Sequence, residues 1–355
     1  MNNTYFYQDK PVFGLDIGFS SMKVMELNTV EKQAQVVGYG VGRFDSNAIK
    51  DGVIVDPQSV AKAALDLFKN HIVGKITTRR VALSVPAMRT FNRPVKLPLL
   101  SNKELEEAVR LEAEQYIPVP IDQLYLDFTV IRKTEKEVDL FVVAVPKKIV
   151  DSHLTLARML GLDVVAIETT IGAAARLFYK AELNNDIPTI LIDFGSKSTD
   201  VTIFDKTLLV TGTVTGGGDD FTDQIAKQLG VTTEEAHTIK TKYGLRHSKK
   251  QAEILATIQP TLDQLLKETR RMVRYYEERY GTNKKIEQIV TMGGGANVPG
   301  LSDYMTDNLR LPVRMSDPWL HIGFSKLQPP NIVERSMYVT VAGLALINPR
   351  EIFAP

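Results

Sequence analysis

"LDIGFSSMKVMEL" (15–27) and "LIDFGSKSTDVTIF" (191–204) are one pattern written twice, half a chain apart. Each is an apolar strand that ends in Asp-x-Gly, turns through hydroxyl residues and resumes as a second apolar strand. Asp16 aligns with Asp193, Gly18 with Gly195, Ser21 with Ser198 and Val24 with Val201, all at one separation. A plain hairpin turn needs only the glycine. The acid, the serines and Lys23 are extra, and together they suit a bound anion. Two such units predict a duplicated α/β architecture of two lobes, one hairpin per lobe.

The bulk properties agree with that picture. A chain of 355 residues fits two domains or one bilobed unit. A net charge of +1 gives no basic field for nucleic acid. Cysteine is absent, which excludes disulfides, thiolate metal sites and cysteine nucleophiles. Five scattered histidines form no zinc pattern. No apolar run reaches the length of a membrane-spanning helix. The opening "MNNTYFYQDKP" lacks the apolar stretch of a signal peptide, and the closing "NPREIFAP" is too short for an amphipathic anchor. The expectation is a cytoplasmic protein that reaches a membrane only through partners.

Between the two hairpins the patterning changes. "VALSVPA" (81–87) alternates like a strand, and "MRTFNRPVKLP" (88–98) is extended and punctuated by prolines. Ser101 with Glu104 makes a capping box for a helix that Pro118 stops. Strands at 125–131 and 138–145 follow, then a helix over 147–160 and a strand at 163–168. This order predicts a small αβ module inserted in the first lobe. The extended stretch could also flank a groove that takes a short peptide by main-chain pairing. After the second hairpin come three glycines and a helix, a second capping box at Thr232 and Glu235, an amphipathic helix from Leu262 to Tyr280, and a small apolar helix at 338–347.

Four glycine turns, at Gly18, Gly195, Gly216–Gly218 and Gly293–Gly295, each follow an apolar strand, and the last two run into helices. Glycine lets backbone N–H groups approach a phosphate, and a helix N-terminus adds positive partial charge. No G-x-x-x-x-G-K-[ST] loop is present, and no G-x-G-x-x-G with a downstream acid. Phosphates here would be clamped between hairpins. Asp16 and Asp193 would hold hydrated Mg2+, and Lys23 could reach a phosphate oxygen.

These residues resemble the actin-like ATPase superfamily. "LDIGFSSMK" and "LIDFGSKSTD" are similar to its two phosphate motifs. "AIETTIGAAARL" (166–177) and "VTVAGLAL" (339–346) resemble its connecting helices, and "TMGGGANVPGL" (291–301) its adenosine motif. A closer resemblance is to the PilM family of type IV pilus assembly, within the FtsA-like branch, carried by "ALSVPAMRTFNRPVKLP", "EAEQYIPVPIDQLYLDF" and "GGGDDFTDQIAKQLGVTTEEAHTIKTKYG". It departs from the pattern at Phe19, Lys197 and His237.

The resemblance implies a bilobed actin-like ATPase fold, two ribonuclease H-like lobes with an inserted 1C module of the FtsA type. Its expected limits are 1–87, 161–187 and 332–355 for the first lobe, 88–160 for the module and 188–331 for the second lobe, with a subdomain at about 225–288. It implies ATP and Mg2+ as cofactors. Contacts would come from Gly18, Ser20, Ser21, Lys23, Gly195, Ser198, Thr199, Gly217, Gly218, Lys240, Gly293, Gly294, Gly295 and Asn297. Asp16 and Asp193 would bind the metal, and Glu168 would orient the attacking water; whether the chain is a slow ATPase or binds without turnover stays open. The implied role is in the pilus inner-membrane platform, with the N-terminal cytoplasmic tail of PilN as partner, other platform proteins or motor ATPases also in reach, and self-association open. The alternatives are a division or cytoskeletal actin homologue like FtsA or MreB, and a small-molecule kinase of the superfamily.

Overall fold

The computed structural model describes residues 10–30, 33–181, 187–281, 284–320 and 322–348. Residues 1–9 and 349–355 of the two end segments read above lie outside them. Along the chain come β1 (Phe13–Ile17), β2 (Ser21–Val30), β3 (Gln33–Arg43), α1 (Pro57–Asn70) and β4 (Arg80–Val85). Next are β5 (Phe91–Pro98), α2 (Asn102–Tyr116), β6 (Leu124–Lys133), β7 (Glu137–Pro146), α3 (Lys147–Met159), β8 (Asp163–Thr169) and α4 (Thr170–Ala181). The second half holds β9 (Thr189–Phe194), β10 (Ser198–Asp205), β11 (Thr207–Thr215), α5 (Gly218–Leu229), α6 (Thr233–Lys242), α7 (Gln251–Tyr280), β12 (Gln288–Met292), α8 (Leu301–Leu309), β13 (Val313–Met315), β14 (Ile322–Gly323) and α9 (Val339–Ala345).

The duplication is visible strand for strand. The first sheet runs β8-β4-β1-β2-β3 and the second β13-β12-β9-β10-β11. In both, the central strand has a parallel neighbour on one side and an antiparallel hairpin partner on the other. Asp16 lies opposite Lys23, and Asp193 opposite Asp200. The alternation along β1 explains the layering. Phe13, Leu15 and Ile17 face a core built with α1 and α3, while Gly14 lies against α9, where a Cβ would come 2.6 Å from the Val341 carbonyl oxygen. On the second sheet, Ile190, Ile192 and Phe194 face α5, α7 and α8, while Leu191 faces α4 and α9. The two connecting helices are therefore the filling between two sheets.

The inserted module is smaller than expected. It is a three-stranded sheet, β5-β7-β6, with α2 over one face. The Ser101–Glu104 capping box forms, with the Ser101 N–H donating to Glu104 Oε2 at 2.9 Å, and α2 ends at Tyr116, two residues before Pro118. Helix α3 does not belong to the module: Leu156 and Ala157 pack into the first lobe's core. The strands β4 and β8 are first-lobe strands as well, so the module ends near Pro146 rather than at 160. The second lobe also stops short of 331, because β14 pairs with Ala34 and Gln35 of β3. The outer edge of β5, read as one side of a peptide groove, runs beside β11 of the second lobe.

Helix α7 begins eleven residues before Leu262, and Pro260 sits inside it. Its buried residues Ile254, Ile258, Leu262, Leu265, Leu266, Thr269, Met272 and Tyr276 follow helical spacing throughout. Proline lacks one donor, and burial of this stripe overrides that local cost.

Candidate functional site

Both Asp-x-Gly turns close with the same bond. The Gly18 N–H donates to the Ser21 carbonyl at 2.9 Å, and the Gly195 N–H to the Ser198 carbonyl at 2.9 Å. The hairpins end on β1 and β9 and meet across the cleft: Ser20 Oγ in the first lobe donates to Asp219 Oδ2 in the second at 3.5 Å. Phe19, which stands where a small residue is usual, turns its ring toward the first lobe's core and leaves the turn open.

Asp16 is held from two sides. Ser84 Oγ donates to its Oδ1 at 2.7 Å, and Lys23 Nζ donates to its Oδ2 at 3.2 Å. Lys23 therefore anchors the carboxylate from the neighbouring strand. Sequence reasoning misses Ser84; a lone hydroxyl inside the apolar run "VALSV" is the signal that could have found it. Across the cleft, the Asp193 carboxyl is pushed up to about 7, mainly by burial, then by Asp200 and Asp16, with Lys23 opposing. Asp200, on the next strand, is raised to about 6 by burial, against a Thr213 hydrogen bond of 2.5 Å. The proton affinity of half-buried Asp193 is raised by two neighbouring carboxylates, one of them across the cleft, and Lys23, already paired with Asp16, offsets them only in part; a divalent cation suits such a site. Mg2+ takes one or two carboxylates and keeps several waters, so Asp16 and Asp193 fit it. No group of three or more potential metal ligands occurs among the described residues.

The two glycine clusters pack against one another. A Cβ on Gly295 would lie 3.1 Å from the Gly218 nitrogen, and one on Gly217 would lie 2.4 Å from the Gly195 carbonyl oxygen. The α5 N-terminus is tied to the second hairpin: the Gly218 N–H donates to the Gly195 carbonyl at 2.8 Å and the Asp219 N–H to the Ser196 carbonyl at 2.9 Å. Thr199 is buried, and its hydroxyl donates to the Gly216 carbonyl at 2.8 Å, so it braces the turn from behind. Gly293 has φ of 85°, and a Cβ there would run into the Asp193 carboxylate. Gly293 pairs with Ser336 in both directions, through its N–H at 3.1 Å and its carbonyl at 3.0 Å. Gly294 is exposed beside it, and Asn297 caps the short turn that follows.

Lys240 is buried under α5. Its Nζ donates to the Gly218 carbonyl at 2.6 Å and to Thr222 Oγ1 at 2.7 Å. Burial lowers its pKa to about 8, with Asp219 and Asp223 opposing. Lys197 crosses from the second hairpin to α5, reaching Asp220 at 3.1 Å and Asp223 at 3.3 Å. His237, exposed on α6, is held below its usual pKa by partial desolvation, Lys240 and Arg43.

Glu168 is already engaged. Both its oxygens accept from Arg176 of α4, one of them at 2.7 Å from Nη2, and Arg176 Nη1 also reaches the Gly343 carbonyl of α9 at 3.3 Å. The motif "AIETTIGAAAR" gives no hint of that pairing except the arginine eight residues on.

Two lobes of one topology, joined by paired small-residue helices and faced by matched Asp-x-Gly hairpins, define a protein of the actin-like ATPase fold. The chain belongs to the family of type IV pilus assembly protein PilM, whose model matches residues 14–348. It is similar to the chain solved in a PilM-PilN type IV pilus biogenesis complex, with 24% identity, a TM-score of 0.81, and 98% of this chain and 99% of that one covered. It is similar to MreB 5 of Spiroplasma citri bound to AMPPNP at 15% identity and a TM-score of 0.53, covering 94% of this chain and 95% of that one. The cell division protein FtsA of Pseudomonas aeruginosa is 23% identical over 95% of this chain and 89% of its own length.

Proposed function

We propose that this chain binds ATP with Mg2+ between its lobes and serves as the actin-like cytoplasmic component of the type IV pilus inner-membrane platform, held there by the N-terminal tail of PilN. The observation that carries the nucleotide reading is the matched pair of hairpins, closed by one turn bond and bearing Asp16 and Asp193, whose charges meet across the cleft. In it, Ser20, Ser21 and Ser198 contact phosphate, and the glycine clusters seat the rest of the nucleotide. Bound Mg2+ would neutralise phosphate charge. MreB 5 was solved with AMPPNP, and a PilM-PilN complex is known, which supports both halves of the proposal.

The tail has a candidate seat on the module. On the side of β5 that faces α2, Arg93 stacks over the Tyr116 ring at 4.6 Å. An extended peptide lying beside this pair would take the aromatic ring as a pocket wall. A second reading of the cleft, nucleotide binding without turnover, is favoured by the Glu168–Arg176 pair: Glu168 can align water only after parting from its arginine.

Calorimetry of the whole chain with ATP–Mg2+, and fluorescence anisotropy with a labelled PilN tail peptide, test the two halves separately. Tyr116→Ala is expected to weaken the peptide by about tenfold and leave ATP binding unchanged. No saturable ATP isotherm would overturn the nucleotide reading. Unchanged peptide affinity in the variant would move the tail's seat elsewhere.

A further inference from the structure

Asp219 is the residue that joins the two phosphate hairpins to each other. Its N–H donates to the Ser196 carbonyl of the second hairpin at 2.9 Å. Its side chain crosses the cleft and accepts from Ser20 Oγ of the first hairpin at 3.5 Å. It is the second residue of α5, so its main chain is fixed by the helix start and only its carboxylate is free to swing. The neighbouring acid, Asp220, is occupied otherwise, accepting from the Gly217 N–H at 3.0 Å and pairing with Lys197. The Asp219 carboxylate has no lysine or arginine partner within ion-pair distance among the described residues, although Lys240 and His237 lie within its electrostatic reach.

We propose that Asp219 is a latch that occupies the phosphate position in the nucleotide-free protein: its carboxylate takes the Ser20 hydroxyl that a phosphate oxygen would otherwise take. The proposal rests on the ATP reading above. A carboxylate and a phosphate oxygen are both anionic acceptors, and one hydroxyl donor cannot serve both from the same side. Nucleotide entry then requires the latch to open, and the lobes part or close with it. The latch sets affinity rather than chemistry. It lowers the affinity of any nucleotide bearing a phosphate at that position, by competition for Ser20 and by like-charge repulsion.

The test uses the full chain with Asp219→Asn, and Asp219→Ala as a second variant in case the first folds poorly; circular dichroism melting without nucleotide checks each fold. ATP and ADP affinities are measured by calorimetry with and without Mg2+. Removing one like charge at a partly exposed position is expected to tighten both nucleotides by roughly three- to tenfold, with or without the metal. Wild-type and variant chains that bind equally well overturn the latch and leave the ATP reading intact. A folded variant that binds more weakly overturns it as well, because the carboxylate then contributes to binding. If neither wild type nor variants bind, the ATP reading fails and the latch fails with it. A variant that binds where the wild type does not is the strongest support.

Discussion

At Asp193 the fold holds an acid in a place that disfavours its charge. Its carboxyl sits at about 7 and that of Asp200 at about 6 because both are withdrawn from water on facing strands. An acid whose folded pKa exceeds the unfolded value of about 3.9 binds its proton more tightly in the fold. The stability this supplies is complete below that unfolded value and is lost as pH rises through about 7. Asp193→Asn should therefore melt higher than wild type at pH 8 in metal-free buffer, by roughly 2 °C. The gap should close toward pH 4, and ATP–Mg2+ should no longer stabilise the variant. Differential scanning fluorimetry across pH reads all three. A variant that melts lower at pH 8 would show that the fold supports the charge. Asp16 and Asp193 are legible from the sequence because a repeat marks them. Ser84 and Asp200 are not, since a single hydroxyl or acid in a strand declares no partner until pairing across strands supplies one.

At the level of elements, the two connecting helices decide how close the lobes stand. Gly343 of α9 lies so near α4 that a Cβ there would fall 1.9 Å from the Ala173 carbonyl oxygen. Backbone cannot retreat as a flexible side chain would, and Ala174, Ala175, Val341 and Ala342 fill the surrounding space. Gly343→Ala should cost about 3 kcal/mol or more, read as a lower urea midpoint. A midpoint equal to wild type would mean that the helices slide apart freely. The small-residue composition of both helices is readable in the sequence, as are the capping boxes at Ser101 and Thr232, because these signals are local. The boundaries of the module are not. A strand–helix–strand–strand–helix–strand order fits a compact module by itself, and only packing shows that α3 and β8 close the first lobe. Pro260 misleads in the same way: the local rule says break, and a buried stripe running from Ile254 to Tyr276 says otherwise.

Over the whole molecule, a cluster of aromatic rings packs with Leu191, Val290 and Met292 of the second sheet at the seam between the lobes. Tyr39 comes from the first sheet, Trp319 and Phe324 from the segment after β13, and Tyr338 from the lead into α9. Trp319 lies 4.8 Å from Phe324 and 5.8 Å from Tyr338, and Tyr39 lies 5.5 Å from Tyr338, centroid to centroid. The same segment reaches the cleft between the hairpins through the Ser336–Gly293 pairing, and Arg335 ties it back to Asp317 at 3.1 Å. Edge-on ring contacts tolerate rotation better than interdigitated aliphatic packing does, since the centroid distance is set loosely over several ångströms. Because α4 and α9 touch backbone to backbone, these ring contacts are the part of the seam expected to shift if the proposed nucleotide closes the cleft. Trp319 is the only tryptophan in the chain, so its emission reports the cluster alone. Saturating ATP–Mg2+ should change its intensity or wavelength along the same isotherm that calorimetry gives, and Trp319→Phe should abolish the signal while still binding nucleotide. Calorimetric binding without any change in Trp319 emission would place the hinge away from these rings and leave the lobes fixed relative to one another at this seam.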